Sequence, residues 1–194
     1  MVCLLAGEQT MTDETPTNPN GPYRTPTTPE DRDVVVLFST SNHLLSRMIR
    51  WLTKSPVSHC AIRICPYGVP MVFQASVGGV QPMLESAWLK KNTVIKKFLV
   101  LPDVSTGVAK AIGMLNASYD YLALFGFLVV WWEMRRGRKV KNPLASPNMV
   151  VCSEFLLHVD ADDKIPEWND FEWESTFPSQ LMVSCKESFR ELPV

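Results

Sequence analysis

Two short stretches hold most of the chemistry this chain can offer. Residues 56–62 read PVSHCAI and residues 150–155 read VVCSEF. An ionised cysteine is a strong nucleophile, and a neighbouring imidazole can take its proton. The chain has three histidines and five cysteines, so few pairings need weighing. SHCAIRIC (58–65) alternates as a strand does, which puts His59, Ala61 and Arg63 on one face and Cys60, Ile62 and Ile64 on the other. Cys60 is therefore a poor partner for its neighbour His59 and reads as a small core residue. Cys152 stands where a helix is expected to begin. The unpaired N–H groups and dipole of a helix start favour a thiolate and can hold an oxyanion. A buried, inert helix cysteine is the plainer alternative. His158 lies about 240° around and about 9 Å along the same expected helix, so it does not suit Cys152. His43 is expected at the start of a surface helix. Cys65 ends a strand at a proline turn, and Cys185 sits in a polar stretch with no base nearby in sequence. His59 with Cys152 has the best physical case.

The elements that must bring these residues together can be read from hydrophobic spacing. DVVVLFS (33–39) is a buried strand. Thr40, Ser41 and Asn42 offer caps to a helix whose Leu44, Leu45, Met48, Ile49 and Leu52 recur at helical spacing, with Arg47 and Arg50 left to face water. The strand holding His59 and the strand MVFQAS (71–76) form a hairpin across Pro66-Tyr67-Gly68. Gln74, a polar residue in the middle of that second strand, can hold the His59 ring through its Nδ1 side; a solvent-facing glutamine is the alternative. VQPM and TVIKKFLVL (93–101) add strands. Residues 106–117 and 119–136 read as helices, the second strongly apolar. A helix begins near Cys152, FPSQLMVS is a short helix, and SFREL is a last strand.

Composition bounds the function. The chain has 194 residues, 46% of them hydrophobic and 20% charged, with a formal net charge of −1, which gives no global case for nucleic-acid binding. Residues 1–32 are dominated in their later part by Thr, Pro and Asn and are expected to form a flexible tail, with Met11 a candidate true start. Residues 33–194 are expected to form one domain. The odd number of cysteines and the lack of CxxC pairs argue against a disulfide framework or a zinc ribbon, so no metal or cofactor is expected. No signal peptide is visible, and the eleven-residue apolar run 122–132 is shorter than the roughly 20 residues a spanning helix needs. A cytoplasmic location is the resulting expectation.

The ordered set of features resembles a family. DVVVLFS, a polar turn, an amphipathic helix, TKSPVSHCAIRI, MVFQASVGGVQPM, ASYDYLALFGF, VVCSEFL and FPSQL follow one another as in circularly permuted NlpC-type, papain-like cysteine hydrolases. The YiiX-like proteins are the nearer likeness, with lecithin:retinol acyltransferase more distant. The resemblance covers about residues 33–194. It implies an α+β fold, an antiparallel sheet packed against helices. It also implies that Cys152 is the nucleophile, His59 the general base and Gln74 the residue orienting His59. Tyr119 would border the site. Gln74 is a departure, since YiiX-like members often carry an acidic residue there, and a neutral amide stabilises an imidazolium less. The implied chemistry is acyl transfer through a thioester, on an amide, peptide, peptidoglycan or lipid acyl substrate. A non-catalytic binding or structural protein that keeps the fold is the alternative. The apolar helix ends in Trp131-Trp132 and is followed by Arg135 and Arg136, an arrangement that suits peripheral contact with anionic lipid. The competing expectation is that this helix, apolar on nearly every face, is buried and the basic loop solvated.

Overall fold

A computed structural model describes residues 33–194, apart from residues 77, 120, 139, 145–148, 173 and 174, and describes the backbone alone at residues 119, 121–125, 127, 134 and 149. The tail expected over residues 1–32 lies outside the described residues. The architecture is α+β, as the sequence leads one to expect. A six-stranded sheet is built from β1 (Val35–Thr40), β2 (His59–Ile64), β3 (Met71–Ser76), β4 (Gly79–Leu84), β5 (Thr93–Val100) and β8 (Phe189–Leu192), in the order β4-β3-β2-β1-β5-β8. Every neighbouring pair in it is antiparallel. Two short strands, β6 (Ser118–Tyr119) and β7 (Met149–Val150), pair in parallel away from the main sheet.

Both faces of the sheet are covered, which is why β1 is a continuous apolar run. One face carries Val36, Phe38, Cys60, Ile62 and Phe73 into the larger core. That core is completed by α3 (Ser105–Gly113), α5 (Cys152–Leu157) and α6 (Pro178–Ser184). The other face carries Val35, Leu37, Ala61 and Val72 against Trp88, the last residue of the short helix α2 (Glu85–Trp88). Trp88, Phe38 and Phe155 are fully buried, each worth about 1.5–3 kcal/mol or more of hydrophobic transfer. The hairpin turn between β2 and β3 closes with Tyr67 at φ 55° and Gly68 at φ 76°.

Two expectations about helix faces are corrected. In α1 (Leu44–Thr53), Ser46 and Leu52 are the buried residues, whereas Leu44 is 81% exposed. The helix is held at its first turn by hydroxyl groups, and that rotates Leu44 outwards. Ser46 Oγ lies 2.6 Å from Ser58 Oγ and accepts the Ser41 N–H at 3.1 Å. Arg50 is partly buried rather than in water. In α4 (Tyr121–Arg135), Val130 packs with Leu52, Val151 and Phe177, but Leu128, Val129 and Trp132 are exposed. Among the described side chains, the C-terminal half of this apolar helix thus has both a covered and an open side. Periodicity cannot reveal this, because it does not say whether a neighbour exists to cover the other side.

Candidate active site

The ladder between β2 and β3 runs over Ile62↔Phe73, Arg63↔Val72 and Ile64↔Met71 and goes no further towards His59. Beyond it the strands carry His59 and Gln74, and side-chain bonding replaces the backbone ladder. Across β2, His59 is the register partner of Ser39, next to an irregularity in the β1–β5 pairing at Phe38/Ser39. Bulges of this kind re-aim side chains beside functional sites.

Gln74 Oε1 lies 2.8 Å from His59 Nε2 and accepts the Trp88 Nε1–H at 2.8 Å. An indole nitrogen can only donate, so the atom it meets is the amide oxygen, and His59 Nε2 must donate to that same oxygen. The ring is therefore held by Nε2–H, not through its Nδ1 side as the sequence reading supposed. This leaves Nδ1 as the nitrogen available to take a proton. Trp88 is kept in place by α2, whose first residue Glu85 pairs with the buried Arg63 of β2 at 3.1 Å.

Cys152 is the first residue of α5, two residues after Val150, where β7 pairs with Tyr119. Its thiol lies close enough to His59 and Cys60 for both to act on its ionisation. The Cys60 thiol also donates to the Cys152 carbonyl at 3.2 Å. Cys152 is held well below the usual thiol range. The adjacent Cys60 thiol contributes most, burial opposes it, and the nearby His59 imidazole adds to the lowering. Because α5 is only six residues long, its dipole is a weaker cause than the sequence reading supposed. Burial tends to lower the His59 pKa, but the hydrogen bond and charge of Cys152 and the bond to Gln74 outweigh it, so the imidazole is raised. Cys60 moves the other way, pushed well up by burial and by the neighbouring Cys152. The shifts of Cys152 and His59 both favour a thiolate beside an imidazolium, and that of Cys60 favours a neutral thiol.

A cavity of about 390 Å³ opens beside this group, its wall including His59, Gln74, His43, Ser58 and Lys91. Cys152 is 5% exposed and lies outside that wall. His59 and Gln74 meet directly, and Cys152 lies against Cys60, the residue after His59. The Tyr119 backbone lies in β6, but its side chain is outside the described residues. His158 begins the 3-10 turn after α5, and Cys185 donates to the Leu181 carbonyl at 3.2 Å and is driven upwards by burial. Trp88 and Cys60 were missed as site residues. Cys60 was assigned to the core, which is correct, but alternation says nothing about what lies over that core. His43 does precede α1, and it also faces the cavity. Among the described residues, no group of three or more His, Cys, Asp or Glu side chains is placed to hold a metal ion.

Comparison with known proteins yields no matching family model and no matching curated relative. Among solved structures, the chain is similar to the metalloprotein YiiX from Escherichia coli O157:H7. The two are 17% identical over 84% of this chain and 97% of that one, with a TM-score of 0.48.

Proposed function

We propose that the protein is a cysteine-dependent hydrolase or acyltransferase of the permuted papain-like type. It would act on an amide, peptide or acyl ester through a thioester on Cys152. One observation carries this reading: Gln74 Oε1 takes N–H bonds from both Trp88 and His59, which orients the imidazole and leaves Nδ1 as its proton-accepting nitrogen. A catalytic base needs such a third group to orient it.

The Cys152 thiolate attacks the substrate carbonyl, forming a C–S bond and an oxyanion. The Cys152 backbone N–H, in the first turn of α5, has no helical acceptor by position and is free to stabilise that oxyanion. As the tetrahedral intermediate collapses, the bond to the leaving group breaks and the His59 imidazolium protonates the departing amine or alcohol. The neutral imidazole then takes a proton from water, or from an acceptor hydroxyl or amine, which attacks the thioester and releases Cys152. The Gln74 amide carries no charge, so the imidazolium is oriented more than it is stabilised. Peptide, peptidoglycan and lipid acyl groups all present the required carbonyl.

The test is incubation with an activated acyl ester, followed by peptide mass spectrometry. A hydroxylamine-labile acyl adduct on the peptide containing Cys152, absent in Cys152→Ala and much reduced in His59→Ala, supports the proposal. No adduct on Cys152 in the native protein refutes it and leaves the fold as a binding module.

A further inference from the structure

On one side of the molecule α1 and α4 expose large apolar residues that nothing among the described residues covers. Trp51 is 73% exposed and Trp132 is 53% exposed, alongside Leu44, Leu128 and Val129. These belong to one surface, because the Trp51 and Trp131 rings lie 6.4 Å apart, and Leu52 and Val130 share a core beneath them. On α1 the exposed Leu44, Arg47 and Trp51 fall at successive turns, so the apolar and cationic groups are on one helix face. A scattered exposed leucine needs no explanation, but a two-helix patch with two open indoles does.

The charge around the patch is predominantly positive. Residues 44–54 hold three arginines and lysines and no acid. Residues 135–141 hold five, against the single nearby acid Glu133. Glu133 pairs with Arg136 at 3.5 Å and Arg138 at 3.3 Å, so it offsets only part of this. The guanidiniums lie over the indoles: Arg135 is 4.5 Å from the centre of the Trp131 ring and Arg136 4.7 Å from that of Trp132. Indoles with arginines at their edge suit the boundary between headgroups and acyl chains, where a ring sits among the chains and a cation meets phosphate.

We infer that this α1–α4 face docks on an anionic lipid bilayer, with Trp51 and Trp132 entering the interface and the 135–141 segment meeting the headgroups. Attachment is peripheral, since no helix among the described residues is long and apolar enough to cross a membrane. A second copy of the chain fits less well. A two-fold dimer through this face would set one basic patch against another. Nucleic acid would match the charge but leave the exposed leucines and valine without a role. The proposal does not depend on the thiol chemistry. The two surfaces share α1 all the same, because its Leu45 and Ile49 line the cavity beside His59.

Vesicle co-sedimentation of the full chain tests this, using phosphatidylcholine vesicles with and without phosphatidylserine. The expected result is binding to the anionic vesicles that weakens as salt rises. The double substitution Trp51→Ala/Trp132→Ala should reduce partitioning about tenfold or more, and Arg135→Glu/Arg136→Glu by a similar factor. All four side chains are exposed, and thermal melting checks that each variant still folds; the two sets serve as independent arms. Absence of anionic-vesicle binding, or binding that neither set reduces, overturns the inference. So does a dimer in lipid-free buffer that the tryptophan substitutions dissociate, or retention on random DNA in place of vesicles.

Discussion

Trp88 and His59 meet on a single atom. Gln74 Oε1 is 2.8 Å from the indole nitrogen and 2.8 Å from the imidazole Nε2. The indole therefore decides which way the amide faces, and the amide decides which ring nitrogen is left for Cys152. Trp88→Phe keeps most of the buried volume but removes the N–H. The amide is then free to turn, and turnover should fall by roughly fivefold, the equivalent of about 1 kcal/mol of hydrogen bonding, with a lower Tm from the trimmed core. Gln74→Leu leaves both donors without an acceptor and should cost at least about tenfold. Steady-state kinetics of the two variants with thermal melts checks both expectations. If Gln74→Leu is as active as the native protein, the ring is not held as described.

Cys60 should tune the nucleophile without being one. Its thiol lies against Cys152, donating to the Cys152 carbonyl at 3.2 Å, and its nearness favours the Cys152 thiolate. Cys60→Ala should raise the pH at which Cys152 ionises, while Cys60→Ser, which keeps a donor, should restore part of the shift. The measurement is the pH dependence of Cys152 alkylation in each variant. Equal midpoints in all three proteins would show that Cys60 serves packing alone.

Activity should be bell-shaped in pH, with the sign of each limb fixed by one group. Cys152 works deprotonated and is shifted down, so the rate rises with pH through a value below the ordinary thiol pKa of about 8.5. His59 works protonated when the leaving group departs and is shifted up, so the rate falls with pH through a value above about 6.5. The two limbs belong to the coupled pair. A profile of kcat/KM across pH 4–10, repeated for Gln74→Glu, checks this. A carboxylate opposite the ring should carry the alkaline limb to higher pH; an unmoved limb would mean that His59 does not set it.

Stability offers a separate check on the packing behind the site. A Cβ on Gly107 of α3 would run into the Val159 carbonyl oxygen of the turn that follows α5. Gly107→Ala should therefore destabilise by about 1–3 kcal/mol, despite alanine's better helix propensity. Gly113, in the same helix, has nothing within 4 Å of such a Cβ. Gly113→Ala should be neutral or stabilising in a denaturant melt. Equal effects at the two sites would contradict the packing of α3 on the 158–160 turn.

The parts of the site that depend on local periodicity were legible in the sequence. Alternation puts His59 and Cys60 on different faces of β2, and the helix expected to begin near Cys152 starts there. The parts that depend on long-range approach were not. Trp88 reaches Gln74 from a four-residue helix with no pattern of its own, and Cys60 reaches Cys152 across 92 residues. The choice of Nε2 over Nδ1 rests on the indole and cannot be read from Gln74 alone. The exposed faces of Leu44 and α4 were misjudged for a related reason: an apolar stripe identifies a surface that wants cover, not whether the chain supplies it.

His59 and Cys60 both favour an ionised Cys152, and alkylation kinetics resolved by residue isolate the part that His59 plays. Iodoacetamide is added across pH 5–9 and modification at Cys60, Cys65, Cys152 and Cys185 is followed by peptide mass spectrometry. Cys152 should react with a midpoint well below that of an ordinary thiol, about 8.5, and His59→Ala should move the midpoint upwards. A Cys152 midpoint at or above 8.5 in the native protein, unchanged by His59→Ala, would contradict it.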